Sequence, residues 1–280
     1  MEALRARHGG SSSKSNLDDS PQRSSSSSCS TRHNSNNKQS HRLPPPNSLD
    51  YLQAGHVNRV RSFPHVEGNY ALHVFIPVYI PPAARKEIAL FLKRVTSLVP
   101  ALNFVDVDIP LYVLCEDDQN LEQVALGREF HISLGRTVPI RVHQIDSIVA
   151  MLRQKFQSQR RYWIDFSKWA VFVNDERTRS FLSVEVITGG LAEITRQIHA
   201  VDEIYRLHNL PEFYKDPRPH VSLAWALGDV SQSIKRVFEE LNRSNNSGKF
   251  SQKRIFTCKF SGIKCKIGNR TYKICKIPED

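Results

Sequence analysis

The sequence predicts an α+β fold of two similar lobes, with antiparallel sheets facing each other across a central cleft and helices outside. Three observations lead there. Strand and helix periods mix from residue 70 onward without a steady β-α-β-α rhythm, which argues against a doubly wound parallel sheet. Hairpin signals interrupt the chain, Asn174-Asp175 being the clearest. One order of elements (strand, long helix, strand with His-x-Ser) occurs once before about residue 136 and again after Lys168.

Taken in order, residues 70–79 are apolar, β-branched or aromatic, and read as a strand. Pro81-Pro82 opens a helix whose face carries Ile88, Leu92, Val95 and Leu98, and Pro100 closes it. Residues 111–115 and 130–134 are short strand candidates. Residues 142–156 return to helical spacing through Ile145, Ile148, Val149, Leu152 and Phe156. Strands are expected at 168–173 and 180–187, broken by Thr188-Gly189-Gly190. A second long helix, 191–207, uses Ile194, Ile198, Val201, Ile204 and Tyr205. A Pro-bounded loop at 211–219 leads into a strand at 220–226, a helix at 230–241 and a polar loop at 242–248. Closing strands are expected at 256–260 and after Gly262.

The first fifty residues contribute little core. Thirteen of the thirty positions 11–40 are serine, and so few apolar side chains cannot repay the entropy of ordering. Leu43-Pro44-Pro45-Pro46 then forms a stiff, extended linker. The expected organisation is a disordered tail and linker at 1–58 and a folded domain at 59–280, with lobes of about 59–165 and 166–280. Of the net charge of +11, only +3 lies in the first fifty residues, which hold seven basic and four acidic side chains. The folded part is therefore strongly basic, as a partner of phosphate backbones is. Residues 249–280 hold nine basic and two acidic residues, either a solvated face or a surface that steers RNA.

No run approaches the roughly 18 consecutive apolar residues of a membrane span, and no early segment resembles a signal peptide. The five cysteines include no C-x-x-C pair, and Cys258, Cys265 and Cys275 match no familiar zinc spacing. Reduced cysteines and no metal site are expected. His73 reads as a satisfied core or cleft-edge histidine, and His143, His199 and His208 as surface or packing residues. Trp163, Trp169 and Trp225 read as core; His56 and His65 receive no role.

The chemistry rests on Phe130-His131-Ile132-Ser133-Leu134 and Pro219-His220-Val221-Ser222-Leu223. In a strand, residues i and i+2 share a face, so each segment presents an imidazole and a hydroxyl backed by apolar neighbours. Two imidazoles suit transesterification of an RNA phosphodiester. One takes the 2′-OH proton and the other protonates the departing 5′-oxygen. Two serine hydroxyls aimed at the phosphoryl oxygens stabilise the charge that builds there. The nucleophile belongs to the substrate, so the reaction calls for no cofactor, and its first product is a 2′,3′-cyclic phosphate. A single H-x-S tripeptide is weak; two in matching contexts, each followed by Leu, are much stronger.

These motifs resemble the 2H phosphoesterase superfamily, and within it the U6 small nuclear RNA phosphodiesterase family. The likeness spans about residues 63–277. It is carried by Glu129-Phe130-His131-Ile132-Ser133-Leu134, by residues 174–181 (NDERTRSF), by Phe213-Tyr214-Lys215-Asp216-Pro217, by His220-Val221-Ser222-Leu223-Ala224-Trp225, and by residues 265–270 (CKIGNR). It implies the two-lobed fold and a metal-independent 3′-to-5′ exonuclease that trims the oligouridine end of U6 RNA. The product carries a terminal cyclic phosphate or its opened form. The resemblance also implies nuclear localisation, His131 and His220 as catalytic residues, and Ser133 and Ser222 on the phosphate. It gives Tyr214 the role of stacking on a base of the single-stranded RNA end. It favours His220 as base and His131 as acid; the residues alone leave that open. A monomer without membrane attachment is expected. Two other readings compete: a cyclic or 2′,5′-phosphodiesterase acting on small nucleotides, and a non-catalytic RNA-binding protein on the same fold.

Overall fold

The computed structural model describes residues 66–107, 109–244 and 254–277. The readings of the Ser-rich tail, the Pro linker, His56, His65 and residues 245–248 lie outside the described residues. Two five-stranded antiparallel sheets carry the fold. The strands are β1 (Asn69–Tyr79), β2 (Asn103–Phe104), β3 (Glu129–Ser133), β4 (Val138–Arg141), β5 (Trp163–Val173), β6 (Arg179–Val186), β7 (His220–Leu227), β8 (Phe256–Lys259), β9 (Gly262–Ile267) and β10 (Arg270–Lys276). The helices are α1 (Pro82–Leu98), α2 (Leu111–Leu114), α3 (Ile145–Phe156), α4 (Leu191–Leu207) and α5 (Ser231–Ser244). One sheet runs β10-β9-β1-β3, with β4 also paired to β1, and the other runs β2-β7-β6-β5-β8. The sheets exchange strands: early β2 joins the late sheet, and late β9 and β10 join the early one.

The repeat seen in the sequence is present in space. β1, α1 and β3 are echoed by β6, α4 and β7; both helices have 17 residues, and each strand pair is adjacent and antiparallel. Helices cover the outer faces: α3 packs on β10 and α4, and α5 on β5 and α1. Phe91 of α1 stacks on Trp169 of β5 at 3.8 Å between ring centroids, so the helix that follows β1 covers the other sheet. Gly190, at φ +84, starts α4 where a side chain would strike the Trp163 carbonyl, 2.8 Å from the Cβ position. Among the described residues, no helix is long and apolar enough to cross a membrane.

Several local expectations are corrected. Residues 111–115 form the single helical turn α2 rather than a strand. A short apolar run fits either period, and the turn buries Leu111 while leaving Tyr112 half exposed. The buried stripe of α1 passes from Val95 to Val99, four residues on, so Leu98 faces solvent. Trp163 is 56% exposed rather than core, lying beneath Lys259, whose Nζ is 5.3 Å from the ring centroid. Trp225 is buried and Trp169 half buried. The strands β2 and β4 and the π-helical turn Asn120–Ala125 had no reading in the sequence. Cys258 lies on β8, in the opposite sheet from Cys265 and Cys275; the four described cysteines are free thiols.

Candidate active site

Strand alternation places the two motifs as their spacing requires. On β3, Phe130 and Ile132 are buried while His131 and Ser133 face outward, half buried; on β7, Val221 and Leu223 are buried opposite His220 and Ser222. β3 and β7 belong to different sheets yet lie against one another, which brings both imidazoles and both hydroxyls to one seam. Charge on His131 disfavours charge on His220, so the two rings interact electrostatically.

The second half-site is tightly framed. His220 Nδ1 lies 2.7 Å from the Arg218 carbonyl oxygen. A carbonyl only accepts, so Nδ1 carries the proton and the neutral ring keeps its basic lone pair on Nε2. The ring stacks on Phe172 at 3.8 Å and 14°. The Arg218 guanidinium sits 4.5 Å over the same Phe172 ring and grips Glu185 through two bonds of 2.6 and 2.7 Å. Glu185 is buried on β6, in register with His220. Burial holds His220 below the usual imidazole range; the Arg218 carbonyl and Glu185 oppose that shift, and positive charge on His131 and Arg218 adds to it.

The first half-site is framed by rings. His131 meets His73 edge-on at 4.9 Å and Phe75 at 5.6 Å. His73 Nε2 bonds the Ser133 hydroxyl at 3.0 Å. Burial, then the nearby His131 and Lys266, lowers the His73 pKa to about 3, so this ring is neutral. Opposed residues in antiparallel strands share a face. The register of Lys266 on His73, Lys264 on Phe75 and Lys273 on Lys264 therefore puts these three ammonium groups on the face of His131 and Ser133. Lys264 and Tyr79 both donate to Glu129 Oε2 at 2.6 Å, and that bond pushes the Tyr79 phenol up to about 12.

Tyr214 stands in the loop before β7, 45% exposed, with Phe213 edge-on at 5.1 Å. The Arg136 guanidinium covers one ring face at 4.1 Å and pairs with Asp175 at 2.9 Å. Helix α4 fixes both partners. Asp202 accepts from the Phe213 amide at 2.7 Å, and the Tyr205 hydroxyl donates to the Arg136 carbonyl at 3.1 Å. Gly135 permits that approach, since a Cβ there would lie 2.9 Å from the Tyr205 hydroxyl. Among the described residues, no three His, Cys, Asp or Glu side chains group closely enough to hold a metal ion.

Residues 33–275 match the HVSL family, described as an uncharacterised conserved protein. The zebrafish (Danio rerio) U6 snRNA phosphodiesterase 1 is 33% identical over 223 residues, 78% of this chain and 70% of that protein. The human protein of the same name is 29% identical over 220 residues, 78% and 74%. The structure of Kluyveromyces marxianus Usb1 superposes with a TM-score of 0.53 at 16% identity, covering 75% of this chain and 99% of that one. The same protein solved with uridine monophosphate gives 0.50. The chain belongs to the U6 snRNA phosphodiesterase family.

Family membership directs attention to residues that the motif reading passed over. Ser183, Glu185, Arg218, Phe172 and Arg136 all support motif residues, and all but Arg218 lie far from their partners in the sequence. Arg218 had the one usable signal, lying two residues before His220. The stretch 174–181, whose Asn174-Asp175 signals a hairpin, is a built turn leading into β6. Asn174 Oδ1 accepts from the Arg179 amide at 2.8 Å, and Nδ2 donates to Thr178 at 2.8 Å. Arg177 adopts φ +53, and the turn presents Asp175 to Arg136.

Proposed function

We propose that this chain is a metal-independent 3′-to-5′ exoribonuclease that trims the oligouridine end of U6 small nuclear RNA in the nucleus, acting as a monomer. The observation that carries the reading is the meeting of β3 and β7, with His220 protonated at Nδ1 and its Nε2 left as a base. His220 Nε2 takes the 2′-OH proton of the penultimate nucleotide, whose oxygen attacks the adjacent phosphorus. His131 gives a proton to the 5′-oxygen of the departing nucleotide. Ser133 and Ser222 donate to the phosphoryl oxygens, and the shortened RNA ends in a 2′,3′-cyclic phosphate or its opened form. A terminal base stacks on the face of Tyr214 away from Arg136. Lys264, Lys266 and Lys273 attract the backbone upstream. The names of the curated relatives and the intact pair of motifs support the substrate and the chemistry together.

The test is a gel assay on RNA ending in several uridines, in excess EDTA, beside the same RNA with 2′-deoxy sugars through its last nucleotides. Shortening of the first alone is the expected result. Cleavage of both makes water the nucleophile and overturns the mechanism. Cleavage of neither moves the assignment to small cyclic or 2′,5′-linked nucleotides.

A further inference from the structure

Each phosphate-facing serine has a partner behind it, and proton counting gives that partner a task. A serine hydroxyl owns a single proton. If Ser222 donated it to Ser183, nothing would remain for a phosphoryl oxygen. The two hydroxyls lie 3.0 Å apart, directly opposed across β6 and β7 beside a β-bulge at Leu182 and Ser183. Ser183 is fully buried, whereas Ser222 faces the seam, half buried. Among the described residues Ser183 Oγ has no second partner. Were Ser183 the acceptor, its own proton would be buried without an acceptor, an arrangement that folded proteins avoid. Ser183 is therefore the donor, and the Ser222 proton is available to the cleft.

The first half-site repeats the arrangement with different chemistry. His73 Nε2 is 3.0 Å from Ser133 Oγ, and the ring stays neutral down to a pH of about 3. With the proton on Nε2, His73 donates to Ser133 and leaves the serine proton free; the other tautomer consumes that proton. An anionic phosphate at Ser133 selects the first tautomer, because it is the better acceptor for the serine proton.

We infer that Ser183 and His73 are positioning residues which, by donating to Ser222 and Ser133, keep both serine protons directed at the phosphate. The inference rests on the transesterification reading above. It is tested by single-turnover cleavage of oligouridine-tailed RNA with Ser183→Ala, Ser222→Ala and their double variant, and with His73→Gln, His73→Phe, Ser133→Ala and His73→Phe/Ser133→Ala. Thermal unfolding of each variant reports folding. Ser183→Ala is expected to lower kcat about tenfold with KM nearly unchanged, and the double variant to be no slower than Ser222→Ala alone. His73→Gln, which retains an N–H donor, should restore most of the rate lost in His73→Phe, and Ser133→Ala should mask the His73→Phe loss. Losses that multiply in the double variants, or a wild-type rate in Ser183→Ala, overturn the inference while leaving the function intact. A wild-type chain that does not shorten the RNA overturns both.

Discussion

The two H-x-S half-sites share a strand pattern and differ in what stands behind it. On β7, His220 is held by a carbonyl on Nδ1, a stacked Phe172 and the buried Glu185–Arg218 pair. On β3, His131 lies among the ring edges of His73 and Phe75, on the face that also carries lysines 264, 266 and 273. One imidazole is locked in the tautomer of a base beside a carboxylate. The other sits in cationic and aromatic surroundings. The duplicated strand pattern supplies two similar imidazoles, and their different backing gives them different surroundings.

Replacement of either histidine sharpens this comparison most. His131→Ala and His220→Ala should each slow RNA shortening about a thousandfold or more without loss of folding. A uridine 3′-phosphodiester with a nitrophenolate leaving group needs no general acid, so it should restore much of the rate to His131→Ala and little to His220→Ala. The opposite pattern in that assay would exchange the assigned roles. Tyr214→Ala comes next. Loss of base stacking is worth roughly 1–3 kcal/mol, or about 5- to 150-fold in KM, with kcat less affected and Tyr214→Phe close to wild type.

The pH dependence follows in size. His220 must be neutral to act as base, and burial lowers its pKa, so the acid limb of the rate should fall below the ordinary imidazole value. Glu185 raises the His220 pKa, so Glu185→Gln should move that limb to still lower pH; a limb that moves up would remove Glu185 from this role. His73 gives an effect read in stability rather than in rate. Its pKa is 6.5 when unfolded and about 3 in the fold, so the unfolded chain binds the proton first. The stability contributed by neutral His73 is complete above pH 6.5 and is lost as pH falls toward 3, by at most about 1.4 kcal/mol per pH unit. Denaturant titrations of His73→Phe between those pH values should show a flatter acid dependence than wild type.

Helix faces and the two H-x-S strands were legible because they depend on local periods. Ile148, Val149, Leu152 and Phe156 are buried as spaced, and α4 runs over the expected residues 191–207. Residues 111–115 were misread because five apolar residues do not define a period. Trp163 was misread because composition does not say that β5 begins at a solvent-facing position. β2, two residues long, leaves no pattern at all. Residues 1–58 and the start of the folded domain lie outside the described residues.

By itself the sequence determined the chemistry on offer: two imidazoles and two hydroxyls in strand contexts that face outward, and an aromatic in the loop before one of them. Alternation along a strand is enforced by the backbone of each residue, so it can be read without knowing the neighbours. Only the tertiary structure decided how those groups are used. The Ser183–Ser222 and His73–Ser133 bonds join residues 39 and 60 positions apart, and the former also depends on a bulge that resets the register. The tautomer of His220 and the covering of Tyr214 by Arg136 arise in the same way, from strands and loops brought together by burial of the shared core. Hydrogen-bond direction and charge balance follow from that approach in three dimensions, which the order of residues along one strand does not contain.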